Sequence, residues 1–315
     1  MQTKKEFMEE LVKTVNSLMG DGYRAEIHCI EKINTGKLHA LIILNGENCI
    51  SPNFYIDGFY KDYRGGKATI DGIAKGIVNV YYNNTCMQAG GSIHKCLDDR
   101  EWVEERLFLQ LINTGKNKEL LKDSLYMDFK GLSLVLYIMA VDNGNGLCKI
   151  RVTKAMCQKF GWNERETLHY ALKNTEKLFP YTVLPLHEVI QKSITSTDIT
   201  FKDIPSGENG MMVLTNNRGI NRAAAVFYPG VLKEISEKHG KSLFLLPSSI
   251  HEFIMLEDNG IYNPEQLEQM VMEVNRSAVE PEEILSDRVY YYGYTSGVLS
   301  VFSNGKFKEV CRIAG

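Results

Sequence analysis

Apolar and polar positions follow one another along this chain in two rhythms, one helical and one of period two, and their order predicts an α+β protein. Phe7, Leu11, Val15 and Leu18 recur at helical spacing behind a Thr3 and Glu6 capping box, and Gly20 and Gly22 end the pattern. RAEIHCIEK and LHALIIL, separated by INTGK, read as a hairpin with Gly36 in its turn. A looser stretch, CISPNFYIDGFYKDYRGG, follows. Thr69 then caps a helix striped by Ile73, Ile77, Val80 and Tyr81, so that residues 1–85 form an α-β-β-α unit.

NNTCMQAGGSIHKCLDD has no periodicity, which makes 86–102 a connection and 103–315 a larger α+β domain. Strand Leu132 to Val141 turns at DNGNG into CKIRV, and helices start at Thr153 and at Asn163, where Glu166 completes a capping pattern. Strand Met211 to Leu214 turns at NNRGIN into a second strand, AAAVFY, and Pro229 opens a helix that Gly240 closes. Strand Ser242 to Leu246 turns at Pro247 and its serines into Ile250 to Leu256, and Asn263 with Pro264 starts a helix carrying Leu267, Met270, Val271 and Val274. Residues 181–210 read as a short helix and a long connection, and the tail from Ser286 to Phe307 as a last pair of strands. Tight hairpins join antiparallel strands, so hairpin-then-helix units predict mainly antiparallel sheets covered by helices.

Composition narrows the class. With 315 residues, 44% hydrophobic and 24% charged, the chain can bury a substantial core. A net charge of −3 gives no general pull towards nucleic acid or anionic lipid, and Glu252 to Asp287 carries ten acidic residues against one basic, Arg276. Seven cysteines, an odd number without a CxxC pair, predict free thiols and a reducing cytoplasm. The start reads as a charged amphipathic helix rather than a signal peptide, and the apolar run Leu132 to Val141 falls short of the ~20 residues that span a bilayer.

Hydroxyl, imidazole and carboxylate crowd together only in PSSIHE, at Ser248, Ser249, His251 and Glu252. As a hydrolase, one serine would be activated by His251 and oriented by Glu252. A strand beginning at Ile250 opposes this, since it puts Ser249 and His251 on one face and Glu252 on the other, and no GxSxG elbow is present. The plainer expectation is a hairpin whose serines bond local backbone and whose His and Glu anchor neighbouring loops. Asn216 and Asn275, like Asn174, end apolar elements and cap them; a meeting of these amides with PSSIHE would instead line a ligand site. Cys86, His94 and Cys96 are too few for a structural zinc, His187-Glu188 and His251-Glu252 lack the second histidine of HExxH, and RGGKAT lacks parts of a P-loop. The aromatic runs FYIDGFYKDY and VYYYGY suit packing better than base stacking.

Taken in order, MMVLTN, LPSSIHEF, MVMEVN and LSDRVYYY, with NTGKNKELL and HYALKNTEKLFP upstream, resemble an uncharacterised family of clostridial gut bacteria and their mobile elements. That resemblance implies a bacterial cytosolic protein of unknown function and carries no catalytic residues with it. The expectation is a cytoplasmic binding or accessory protein without catalysis, with no cofactor and no metal. Its partner would be a protein or a small molecule, with no membrane and with nucleic acid disfavoured. The alternative is a metal-independent hydrolase or transferase on the Ser248, Ser249 and His251 turn.

Overall fold

A computed structural model describes residues 2–46, 51–83, 96–142, 147–189, 211–216, 218 and 221–312. Two compact units divide the chain, Met1–Arg106 with Met139–Ile150, and Leu107–Ile138 with Arg151–Gly315.

In the first unit, helix α1 (Lys4–Met19) begins at the expected capping box, with Thr3 and Glu6 exchanging side-chain and backbone bonds. It buries Phe7, Leu11, Val15 and Met19, leaving Leu18 39% exposed. Strands β1 (Tyr23–Lys32) and β2 (Gly36–Asn45) pair antiparallel from Tyr23↔Asn45 to Lys32↔Gly36, around a turn where Asn34 and Gly36 take positive φ. The stretch read as loose instead holds β3 (Phe54–Tyr55), which pairs with β2, and helix α2 (Ile56–Arg64). Local signals for α2 are weak; packing decides it, since Tyr60 and Tyr63 meet the ring of Phe7 at 5.4 and 5.1 Å. Helix α3 (Ile70–Asn83) starts where Thr69 Oγ1 accepts the Gly72 N–H at 3.1 Å. Its buried stripe is Ile70, Ile73, Ala74, Ile77 and Tyr81, while Val80, expected within the stripe, falls outside it and is 50% exposed. A short α4 (Arg100–Glu104) is capped by Asp99.

The second unit runs through β4 (Leu107–Asn113), α5 (Lys118–Lys122), β5 (Tyr126–Asp128) and β6 (Leu132–Asp142), with β4 and β5 both antiparallel to β6. Strand β7 (Leu147–Arg151) also pairs with β6; β7 up to Ile150 and β6 from Met139 onward belong to the first unit. Helices α6 (Lys154–Phe160) and α7 (Glu164–Leu178) begin at Thr153 and Asn163, whose side chains accept the N–H groups of Met156 and Glu166. Then come β8 (Tyr181–Pro185), β9 (Met212–Asn216), helix α8 (Val231–His239), β10 (Leu243–Ser249), β11 (Glu252–Glu257), helix α9 (Pro264–Ser277), β12 (Tyr290–Tyr292), β13 (Val298–Ser303) and β14 (Lys306–Arg312). The tail therefore supplies three strands, one more than its pattern predicts. Strand β8 runs directly into helical residues 186–189, so a short helix does occur within 181–210 as expected, after a strand that was not.

Strands β8 to β14 make one seven-stranded antiparallel sheet in the order β14-β13-β12-β10-β11-β9-β8, and the protein is α+β. On one face of its centre Leu243, Leu245, Tyr290, Tyr292, Leu299 and Val301 are buried. Phe244, Leu246, Leu256 and Phe302 cluster with Leu267 and Val271 of α9, which explains why β10 reads as an unbroken apolar run. Met270 and Val274, grouped with those two in the sequence pattern, are 42% and 43% exposed.

Two expectations are corrected here. AAAVFY, residues 223–228, reads as a strand, but Arg222–Phe227 forms a 3-10 turn after Asn221 in a left-handed conformation. Ala223 to Phe227 are buried on every side, and β9 already has β8 and β11 as its neighbours, so no edge is free to receive another strand. Cysteine chemistry also differs. Cys29, Cys96, Cys157 and Cys311 are free, but Cys148 is disulfide-bonded, so the seven thiols predicted from odd count and spacing are not all free. Spacing along a chain says little about which sulfurs the fold brings together.

Candidate functional site

Strands β10 and β11 end in a tip that differs from the predicted turn. Pro247 lies within β10, opposite Phe253, and Ser249 opposes Glu252, with an irregularity between Pro247 and Ser249 that leaves Ser248 as the extra residue. Ile250 and His251 therefore form the turn, and β11 begins at Glu252, not at Ile250. Proline lacks the N–H a regular ladder needs, and a bulge beside it relieves that demand.

Ser249 is buried, and its Oγ accepts the His251 backbone N–H at 3.0 Å. Its hydroxyl thus closes the turn locally. Nε2 of the His251 imidazole lies 3.3 Å from Oε1 of Glu283. Among the described residues neither serine hydroxyl bonds that imidazole, and Glu252 stands half-buried across from Ser249. Asn216 comes close through the ladder, because Thr215 Oγ1 donates to the His251 carbonyl at 3.3 Å. Its own Oδ1 accepts the Arg218 N–H at 3.0 Å, a local turn bond.

Asn275 reaches the same region by another route. Its Nδ2 donates to the Ser286 carbonyl at 3.2 Å and to Asp287 Oδ1 at 2.7 Å, and the residue is 3% exposed. It thereby holds the end of the acidic segment 278–288. The Ile250 N–H bonds the Glu283 carbonyl at 2.9 Å, Asn113 donates to the Leu285 carbonyl at 2.8 Å, and Lys116 Nζ to the Pro281 carbonyl at 2.8 Å. Four separate elements fasten this segment. Sequence reasoning missed Asn113, Lys116 and Glu283 in that role; each looks like an ordinary polar residue until the fold supplies its carbonyl or imidazole partner. Asn174 is elsewhere, donating to the Leu107 carbonyl at 2.8 Å.

Beside the fastened segment a cleft of about 480 Å³ opens at the C-terminal end of α9, lined by Asn275, Arg276, Glu280, Pro281, Ile284 and Asp287 among others. Its walls mix donors and acceptors with short apolar surface. Burial, aided by Glu265 and Asp287 and opposed by Arg288, raises the Glu268 carboxyl above its ordinary value.

Other expectations fall as follows. Cys86 and His94 lie outside the described residues, Cys96 is a half-buried free thiol, and no group of three or more His, Cys, Asp or Glu that could hold a metal occurs among the described residues. Gly65 and Gly66 close α2, bonding the Lys61 and Tyr63 carbonyls, and lead into the Thr69 cap. Among the described residues no helix is long and apolar enough to cross a membrane.

Fold and site together define an α+β protein organised on an antiparallel sheet whose central hairpin anchors an acidic segment. Residues 4–293 match the family of unknown function DUF5688, and the chain belongs to that family. No curated protein and no solved structure matches it.

Proposed function

We propose that this chain is a non-catalytic binding or accessory protein whose working surface is the β10–β11 tip together with the segment it fastens. One observation carries the reading. His251, the one imidazole at the tip among the described residues, is directed to a carboxylate of the acidic segment rather than to a serine hydroxyl, so the polar groups organise a surface instead of an activated nucleophile. The adjoining cleft has the size of a small-ligand site. Asn216 and Asn275 support the tip and the cleft from two sides. A bacterial, cytoplasmic setting belongs to the same proposal; the free Cys29, Cys96, Cys157 and Cys311 support it, and the bridged Cys148 weighs against it. Residues 1–85 act as a separate module in this reading, supported by a core running from Phe7 to Tyr81.

A screen of small molecules and peptides by thermal shift on the full chain tests this. His251→Ala should abolish a hit while the melting temperature of the free protein stays near that of the wild type. Reproducible turnover of an ester or amide, lost in Ser249→Ala, would replace the proposal with the hydrolase reading.

A further inference from the structure

The cleft at the C-terminal end of α9 carries charge of both signs that its own residues leave unpaired. Arg276, in the last turn of the helix, lines it together with Glu280 and Asp287. Among the described residues the Arg276 guanidinium pairs with neither carboxylate, and the Glu280 carboxylate accepts no hydrogen bond. Asp287 is set in place by Asn275, whose Nδ2 donates to Asp287 Oδ1 at 2.7 Å and to the Ser286 carbonyl at 3.2 Å. Asn275 is 3% exposed and itself lines the cleft, and its Oδ1 accepts from no described residue without being sealed from solvent.

A polar side chain this buried is normally satisfied in full, so an amide oxygen left open in a cleft points to a donor from outside the chain. Asn275 Oδ1, Asp287 and Glu280 are all acceptors, and the C-terminal end of a helix favours positive charge; an ammonium, with three N–H donors, answers them. Arg276 asks for the opposite, a group with two oxygens on one atom. A ligand that is only a cation would be repelled by Arg276, and one that is only an anion by Glu280 and Asp287. One that carries both charges meets each wall. Half-buried Val279 and Ile284 add apolar surface for a carbon skeleton, and about 480 Å³ suits a small molecule. We infer that this cleft binds a small zwitterion of the amino-acid kind, with its ammonium against Asn275 and Asp287 and its carboxylate against Arg276. The inference rests on the binding reading above and names the chemistry of the ligand.

The test titrates the common α-amino acids, one at a time, into the full chain at constant ionic strength, read by calorimetry. n-Pentylamine and hexanoate serve as probes with a single charge each. At least one amino acid should saturate one site, and both single-charge probes should bind about tenfold more weakly than it or worse. Arg276→Gln and Asp287→Asn each remove one charge from the cleft and should each weaken that amino acid about tenfold or more. Both side chains are exposed, so the free variants should melt near wild type. Should one of them unfold, the comparison of amino acid with single-charge probes on wild type decides by itself. No saturable binding by any amino acid, a single-charge probe that binds as tightly, or unchanged affinity in either folded variant overturns the inference. A null result here beside a hit that His251→Ala abolishes in the wider screen overturns this inference alone; no hit in either experiment takes the binding reading with it.

Discussion

Nε2 of His251 lies 3.3 Å from Oε1 of Glu283, across 32 residues of chain, with both side chains about 40% exposed. The pair spans from the hairpin tip to the acidic segment, but water screens it. Exposed pairs of this kind contribute roughly 0–1 kcal/mol. His251→Ala should therefore lower stability by less than about 1 kcal/mol in chemical denaturation. A loss of several kcal/mol would mean that the imidazole does more than meet Glu283.

Asn275 has the opposite character. Its amide is buried and bonds both Ser286 and Asp287, so Asn275→Ala leaves the Ser286 carbonyl without that donor and should cost about 1–3 kcal/mol. Amide exchange should quicken in 284–288 while β9 keeps its protection. Uniform quickening through the sheet would show that the segment does not open separately.

Stability should respond to pH through Glu176. Burial, and then the nearby Glu234, raise its carboxyl from the ordinary 4.5. A raised folded value means that the contribution is fully present below the unfolded value and is lost as pH rises through the folded one. Glu176→Gln should thus raise the melting temperature at pH 7, with the gain fading near pH 4. An equal gain at both values would assign the effect to packing.

A second titration concerns Tyr181. Burial, and then its hydrogen bond to Glu234 at 2.8 Å, push its phenol up to about 12. The sign is the same: stability supplied by the neutral phenol holds below the ordinary 10 and declines as pH approaches 12. Tyr181→Phe should remove that part of the alkaline loss, measured by melts between pH 9 and 11.

Thiol titration under denaturing, non-reducing conditions should find two fewer than the seven cysteines of the chain, because Cys148 is bridged. Reduction beforehand should restore the missing pair. Seven thiols without reduction would contradict the bridge.

Caps and hairpins were legible in the chain because their causes are local. Thr3 with Glu6, Asn163 and Asn263 each sit next to the N–H groups they satisfy, and the β1–β2 turn needs only Asn34 and Gly36 in positive φ. Antiparallel pairing followed from short connections for the same reason. The PSSIHE cluster could also be seen, but its turn could not be located to the residue, since both the serines and Ile250-His251 can reverse a chain and only the pairing of Ser249 with Glu252 selects one.

Whatever depends on partners far along the chain was decided by tertiary structure. Ala223 to Phe227 have strand-like hydrophobicity yet form a 3-10 turn because β8 and β11 occupy both edges of β9. Val80 is apolar yet exposed, and α2 exists because Phe7 offers its tyrosines a surface. His251 shows the same division: its chemistry can be read from its side chain, but the carboxylate that meets it is set by which segment the fold packs beside it.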